Sequence, residues 1–269
     1  MSFNIQGKTA VVTGAANGVG LAIARHFLER GANVMLADMD EDRLRDEVGA
    51  KRDDDEATAA YFAGDLREKL TVANLLSATL DRFERVDILV NASRQMLAAD
   101  PLNADDDAVT TLLNQNLMTS LRVSQVFAKR MIKQAEGDDS DAAHGSIINL
   151  SSIAARRTQP DLLAYSVSSA ALDQLTRSMA VALAPNRIRV NAIALGSVMS
   201  ASLKDAINEH EGLREEIIEC TPLSRIASAS ELAEVAQFLA SDGSRFMTGQ
   251  ILTVDGGRTL VDAAEAPAH

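Results

Sequence analysis

Short runs of apolar, mostly β-branched residues alternate along the chain with longer stretches whose apolar positions recur at helical spacing. Runs at 8–14, 32–38, 86–91, 145–152, 188–194 and 250–256 are nearly continuously apolar between turn residues, as strands covered on both faces are. A weaker strand run lies at 58–63. Helical periods fall over 19–30, closed by Gly31, and over about 67–83, 105–134, 161–184 and 229–241. Strands alternating with helices predict βαβ units, right-handed crossovers and a parallel sheet.

The hydrophilic segments at 51–57 and 136–144 read as solvated surface loops, and neither is long enough to link two domains. With no internal repeat, the pattern predicts a single domain over 1–261 and a flexible tail at 262–269. In 269 residues, 46% hydrophobic and 24% charged positions are enough for a large buried core, which excludes a disordered or fibrous chain. Lys and Arg number 26 against 38 Asp and Glu, a net charge of −12 that argues against a nucleic-acid groove or a polybasic membrane surface. The longest apolar region, 162–184, is broken by Asp173 and Arg177, so no membrane span is expected. The first strand begins almost at once, with no leader pattern before it, and a cytoplasmic protein is expected. A lone cysteine, Cys220, forms no intrachain disulfide and fits a reducing compartment. Asn91-Ala92-Ser93 is then only formally a glycosylation acceptor. His26, His144, His210 and His269 have no metal-ligand spacing with Cys220 or with each other, and no metal is expected.

The first strand runs into TGAANGVG, which places Gly14, Gly18 and Gly20 at the turn into the first helix. Such a turn lets a pyrophosphate approach the backbone and points free N–H groups at it; a tight β–α turn without a ligand is the plainer reading. Asp38 ends the second strand, eighteen residues after Gly20, where a carboxylate accepts hydrogen bonds from ribose hydroxyls. Together the two features predict dinucleotide binding. The same carboxylate repels a ribose 2′-phosphate, and Met39 offers no cation to hold one, so NAD is favoured over NADP. Ligands of open α/β sheets bind at the carboxyl ends of the strands. There Ser151-Ser152 ends one strand and Tyr165 begins the helix that follows.

The ordered set TGAANGVG, DILVNA, NLSS, S-x12-Y and TGQILTVDGG resembles the short-chain dehydrogenase/reductase family over nearly the whole chain. The resemblance implies a doubly wound Rossmann sheet of about seven parallel strands with helices on both faces, usually in a homotetramer or dimer. It implies that Tyr165 is the general acid/base, that Ser152 polarises the substrate oxygen, and that Asn116 holds a relay water. By the same resemblance NAD lies against Gly14, Asn17, Gly18, Val19 and Gly20, against Asp38, against Asp65 and Leu66 at the adenine, and against Asn91, Gly196 and Ser200. In relatives a Pro-Gly pair and a threonine stand near the last two; here Leu195 replaces the proline and Ser200 the threonine. The segment 197–219 is expected to be a substrate lid, and its Met199, Leu203, Ile207, Leu213 and Ile217 suggest a partly apolar substrate or an oligomer contact.

Two departures stand out. Relatives carry a lysine four residues after the tyrosine, where this chain has Ser169, and a serine cannot supply that charge. Relatives read NNAG after the fourth strand, where this chain reads NASR, so that Ser93 or Arg94 replaces the glycine. Arg94 either reaches the ribose or the tyrosine in place of the missing ammonium or is a solvated loop arginine, the reading that sequence alone favours. Arg156 and Arg157 are likewise expected in a surface loop, with an anionic substrate as the alternative. The expected activity is NAD-dependent interconversion of a secondary alcohol and a ketone by hydride transfer. A dinucleotide-binding sensor or structural subunit without turnover is the alternative that Ser169 and the NASR loop favour.

Overall fold

In the computed structural model, which describes residues 3–49, 57–138 and 142–262, seven strands form one wholly parallel sheet. They are β1 (Thr9–Thr13), β2 (Asn33–Asp38), β3 (Ala59–Ala63), β4 (Ile88–Asn91), β5 (Gly145–Ser152), β6 (Ile188–Leu195) and β7 (Ile251–Val254). Their spatial order is β3-β2-β1-β4-β5-β6-β7, so the direction of winding reverses between β1 and β4. A crevice opens at such a reversal, outside the carboxyl ends of the strands.

Nine α-helices are described: α1 (Gly18–Glu29), α2 (Glu41–Val48), α3 (Lys69–Phe83), α4 (Ala108–Leu112), α5 (Thr119–Gln134), α6 (Leu163–Leu183), α7 (Ala201–Glu209), α8 (Leu213–Glu219) and α9 (Ala229–Ala240). Every residue of β1, β4, β5 and β6 is buried, which is why these strands read as continuous apolar runs rather than alternating ones. On one face α1, α2 and α9 bury Ile23, Phe27, Leu44, Leu232 and Leu239. On the other, α3, α5 and α6 bury Leu75, Phe127, Met131 and Ala180. Phe127 and Met131 lie one turn apart on α5, so a single stripe of that helix meets the sheet.

Three features differ from the sequence pattern. Helix α2 escapes apolar periodicity because only Leu44 and Val48 of its eight residues are buried; its start is set by Asp40, whose carboxylate accepts the Arg43 N–H at 3.1 Å. The single helix expected over 105–134 is interrupted by a π-helical turn at Leu113–Met118. There the hydroxyls of Thr119 and Ser120 donate to the carbonyls of Asn114 and Asn116, at 3.1 and 2.8 Å, satisfying acceptors that a widened turn disturbs. The expected lid at 197–219 holds the two short helices α7 and α8, with Ile217 buried beneath. Most of the acidic run at 51–57, part of that at 136–144 and the tail from 263 onward lie outside the described residues. Among those described, no helix is long and apolar enough to cross a membrane, and no cluster of His, Cys, Asp or Glu is placed to hold a metal ion.

Candidate active site

The turn from β1 into α1 is shaped by close backbone approaches. A Cβ on Gly14 would stand 2.7 Å from the carbonyl carbon of Ala92, and one on Gly20 would stand 2.1 Å from the carbonyl oxygen of Gly14. Only glycine permits that packing. Gly18 is different: nothing lies within 4 Å of where its Cβ would be, so the turn is open on that side. Asn17 precedes α1 in an extended conformation and makes no side-chain cap, and the first turn carries no acidic residue. The first N–H groups of a twelve-residue helix are therefore left without a capping side chain, while Val19 is buried.

Asp38, at the carboxyl end of β2, accepts the Ala16 N–H at 3.1 Å with one oxygen and the Met39 N–H at 2.7 Å with the other. The carboxylate is thus held beside the glycine turn. No cation stands between Gly14 and Gly20, where the chain carries only Ala15, Ala16, Asn17 and Val19 beside its glycines. These groups fit a dinucleotide: free N–H donors for a pyrophosphate and an anchored anion for ribose hydroxyls.

The remaining residues expected at the cofactor lie at other strand ends. Asp65 follows β3, and the Arg67 guanidinium bonded to it at 2.6 Å holds its carboxyl below the usual carboxylate range. Leu66 beside it is buried. Gly196 follows β6, where a Cβ would press within 2.9 Å of the Asp255 backbone. Ser200 caps α7, accepting the Leu203 N–H at 3.2 Å. Asn91, last in β4, donates to Ser124 Oγ at 2.9 Å and to Asn149 Oδ1 at 2.8 Å, and its own Oδ1 is buried without a partner.

Asn91, Ser93, Arg94, Asn116, Tyr165 and Ser169 line a small cleft open to solvent. Tyr165 is buried on the first turn of α6 among Ala99, Leu112 and Ala154. Arg94 is not the solvated loop arginine expected from sequence: although exposed, it donates from Nη1 to Tyr165 Oη at 2.6 Å. Ser152 ends β5, and its Oγ accepts the Ala154 N–H at 3.1 Å, which leaves its own proton free for a ligand oxygen. Arg156 and Arg157 are exposed as expected, but each is tied to the C-terminal segment, Arg156 to Thr253 Oγ1 at 3.1 Å and Arg157 to the Thr259 carbonyl.

The loop carrying Arg94 is clamped from three sides. Thr13 Oγ1 accepts the N–H groups of Ala92 and Ser93, both at 3.1 Å. Gln115 donates to Ser93 Oγ at 3.3 Å. Asn116, turned inward on the π-helical turn, accepts the Gln95 N–H at 2.8 Å and donates to the Gln95 carbonyl at 2.9 Å and to Ser168 Oγ at 3.2 Å. Every polar atom of the Asn116 side chain is thereby engaged with the protein. Beneath the site, Ser151 Oγ donates to buried Asp173 at 2.6 Å. Burial raises the Asp173 carboxyl above the usual range, against the lowering effects of that hydrogen bond and of Arg156 and Arg177. Sequence reading missed Asp173 and the clamp, because single polar residues in a helix or loop carry no local signal of what they face.

The profile of a family described as enoyl-(acyl carrier protein) reductase matches residues 14–259. The chain is 30% identical over 260 residues to a 2,3-dihydroxy-2,3-dihydro-p-cumate dehydrogenase of Pseudomonas putida, a span covering 96% of each. It resembles a gluconate 5-dehydrogenase of Burkholderia cenocepacia solved with NADP and tartrate, at a TM-score of 0.85 and 29% identity, over 97% of this chain and 98% of that one. It also resembles a 7α-hydroxysteroid dehydrogenase solved with NADH and 7-oxo glycochenodeoxycholic acid, at a TM-score of 0.83 and 29% identity, over 95% and 96% of the two chains.

Proposed function

Because this chain belongs to the short-chain dehydrogenase/reductase family of oxidoreductases, we propose that it uses NAD to interconvert a secondary alcohol and a ketone by hydride transfer. One observation carries the reading. The glycine turn and Tyr165 are joined through a single loop: Gly14 packs on Ala92 and Ser93, and Arg94, the next residue, bonds Tyr165. A dinucleotide held by that turn, extending along the strand ends, would bring its reactive end to the tyrosine.

Gly18 and the N-terminus of α1 would hold the pyrophosphate, and Asp38 the adenosine ribose. The choice of NAD rests on Asp38 and on a turn without cations, since both NADP and NADH occur among the structural relatives. When bound, a nicotinamide supplies the acceptor or donor of the hydride. The chain's own residues handle the proton. In oxidation, Ser152 donates a hydrogen bond to the alcohol oxygen and orients it, and Tyr165, as phenolate, takes the hydroxyl proton as the C–H hydride leaves the same carbon. In reduction Tyr165 gives that proton to the new alkoxide, whose charge Ser152 has meanwhile stabilised. The half-buried Met199, Leu203 and Ile207, on and beside α7, favour a substrate with an apolar portion.

Calorimetric titration with NAD, NADH, NADP and NADPH, followed by a screen for hydride transfer over secondary alcohols and ketones, tests the reading. Tight NAD binding with turnover is the expected result. Binding without turnover, or no binding of any dinucleotide, would sink it.

A further inference from the structure

We propose that Arg94 is a catalytic residue, the fixed cation that stabilises the Tyr165 phenolate, a role that rests on the proton chemistry assigned to Tyr165 above. The geometry is specific. A guanidinium has donors and no acceptor, so at 2.6 Å it can only donate to the phenol oxygen. That bond strengthens as the oxygen gains negative charge, because a guanidinium bonded to a phenolate is an ion pair, with the attraction of opposite charges added to the hydrogen bond. Arg94 therefore favours the state Tyr165 must occupy to accept a proton in oxidation and the state it reaches after giving one up in reduction.

Among the residues lining the cleft, Arg94 alone is charged. Ser169, one turn after Tyr165 on α6, contributes only a hydroxyl. Arg177, further along α6, is exposed and donates to Gln174. Arg156 donates to Thr253, Asp173 accepts from Ser151, Asp106 accepts the N–H groups of Ala108 and Asp100, and Asp161 is exposed on the turn before α6. The cation is also anchored. Thr13 holds the backbone before Arg94 and Asn116 the backbone after it, while Gln115 bonds the Ser93 hydroxyl, so the long side chain of Arg94 leaves from an anchored base. Asn116 is then a positioning residue acting through Arg94.

The chain contains two tyrosines, Tyr61 and Tyr165, and no tryptophan, so in Tyr61→Phe the near-ultraviolet tyrosinate band reports Tyr165 alone. In that background Arg94→Ala, Arg94→Gln and Arg94→Lys are titrated from neutral to alkaline pH, with folding followed by circular dichroism. Ala and Gln should move the appearance of the band to higher pH by about one unit or more, while Lys, which keeps the charge, should stay within about half a unit of the parent. A merely structural role would move Ala, Gln and Lys alike and would overturn the proposal, as would a band that none of them moves. The titration needs neither cofactor nor substrate, so its failure is distinct from failure of the dehydrogenase reading, which the turnover screen decides.

Discussion

Asp38 Oδ2 accepts the N–H of Ala16 at 3.1 Å, across the gap between the end of β2 and the turn after β1. The residue that would read the ribose is therefore braced by the turn that would hold the pyrophosphate.

From this follows a preference for NAD over NADP of at least about tenfold, equivalent to roughly 1.4 kcal/mol. Asp38→Ala should weaken NAD and narrow the gap. The check is calorimetric titration of both variants with both cofactors; equal affinity of the wild type for NAD and NADP would show that Asp38 does not select.

Removing the proton carrier should separate chemistry from binding. Tyr165→Phe is expected to abolish hydride transfer, and Ser152→Ala to slow it by about a hundredfold to a thousandfold, as loss of one donor to a developing oxyanion does. NAD affinity should change little in either variant. Full activity of Tyr165→Phe would place the chemistry elsewhere.

The glycines of the turn should differ in what they cost. Gly20→Ala drives a Cβ to 2.1 Å from the Gly14 carbonyl oxygen, backbone against backbone, and should destabilise the protein by about 1–3 kcal/mol. Gly18→Ala meets nothing within 4 Å but must keep φ near +57°, so it should cost about 1–2 kcal/mol of strain and weaken NAD binding besides. Denaturant melts with and without NAD measure both. A Gly20→Ala variant as stable as the wild type would contradict the packing described.

Asp173 should make stability depend on pH in an unusual sense. Burial raises its folded value above the 3.8 of an ordinary aspartate, so the native state holds the proton in a window where the unfolded chain has lost it. Stability contributed below that window is lost as pH rises through the folded value. Asp173→Asn keeps an acceptor for Ser151 and has nothing to ionise. It should melt above the wild type at neutral pH, and the gap should close as pH falls toward about 4. Thermal melts across that range decide; a wild type more stable than Asp173→Asn at neutral pH, with that advantage fading as pH falls, would mean that the charge itself is favourable.

The periodicity of apolar positions along the chain was enough to place all seven strands and most of the helices, because each element must bury its own face and writes that need into its own residues. The placement of the glycine turn, Asp38, Ser152 and Tyr165 was legible for a related reason: each sits at a strand end or a first helical turn, and its spacing from that element is local. Helix α2 was not, since it buries only two side chains and is started by a cap. Nor was the π-helical turn, whose widened geometry is held by hydroxyls of residues that would suit an ordinary helix equally well. The pairing of Arg94 with Tyr165 joins residues 71 apart in the chain, and that of Ser151 with Asp173 residues 22 apart. Neither is written in any window of sequence. An arginine in a loop is chemically the same whether it faces water or a phenol, and only the packing of β4, β5 and α6 around one crevice settles which it meets.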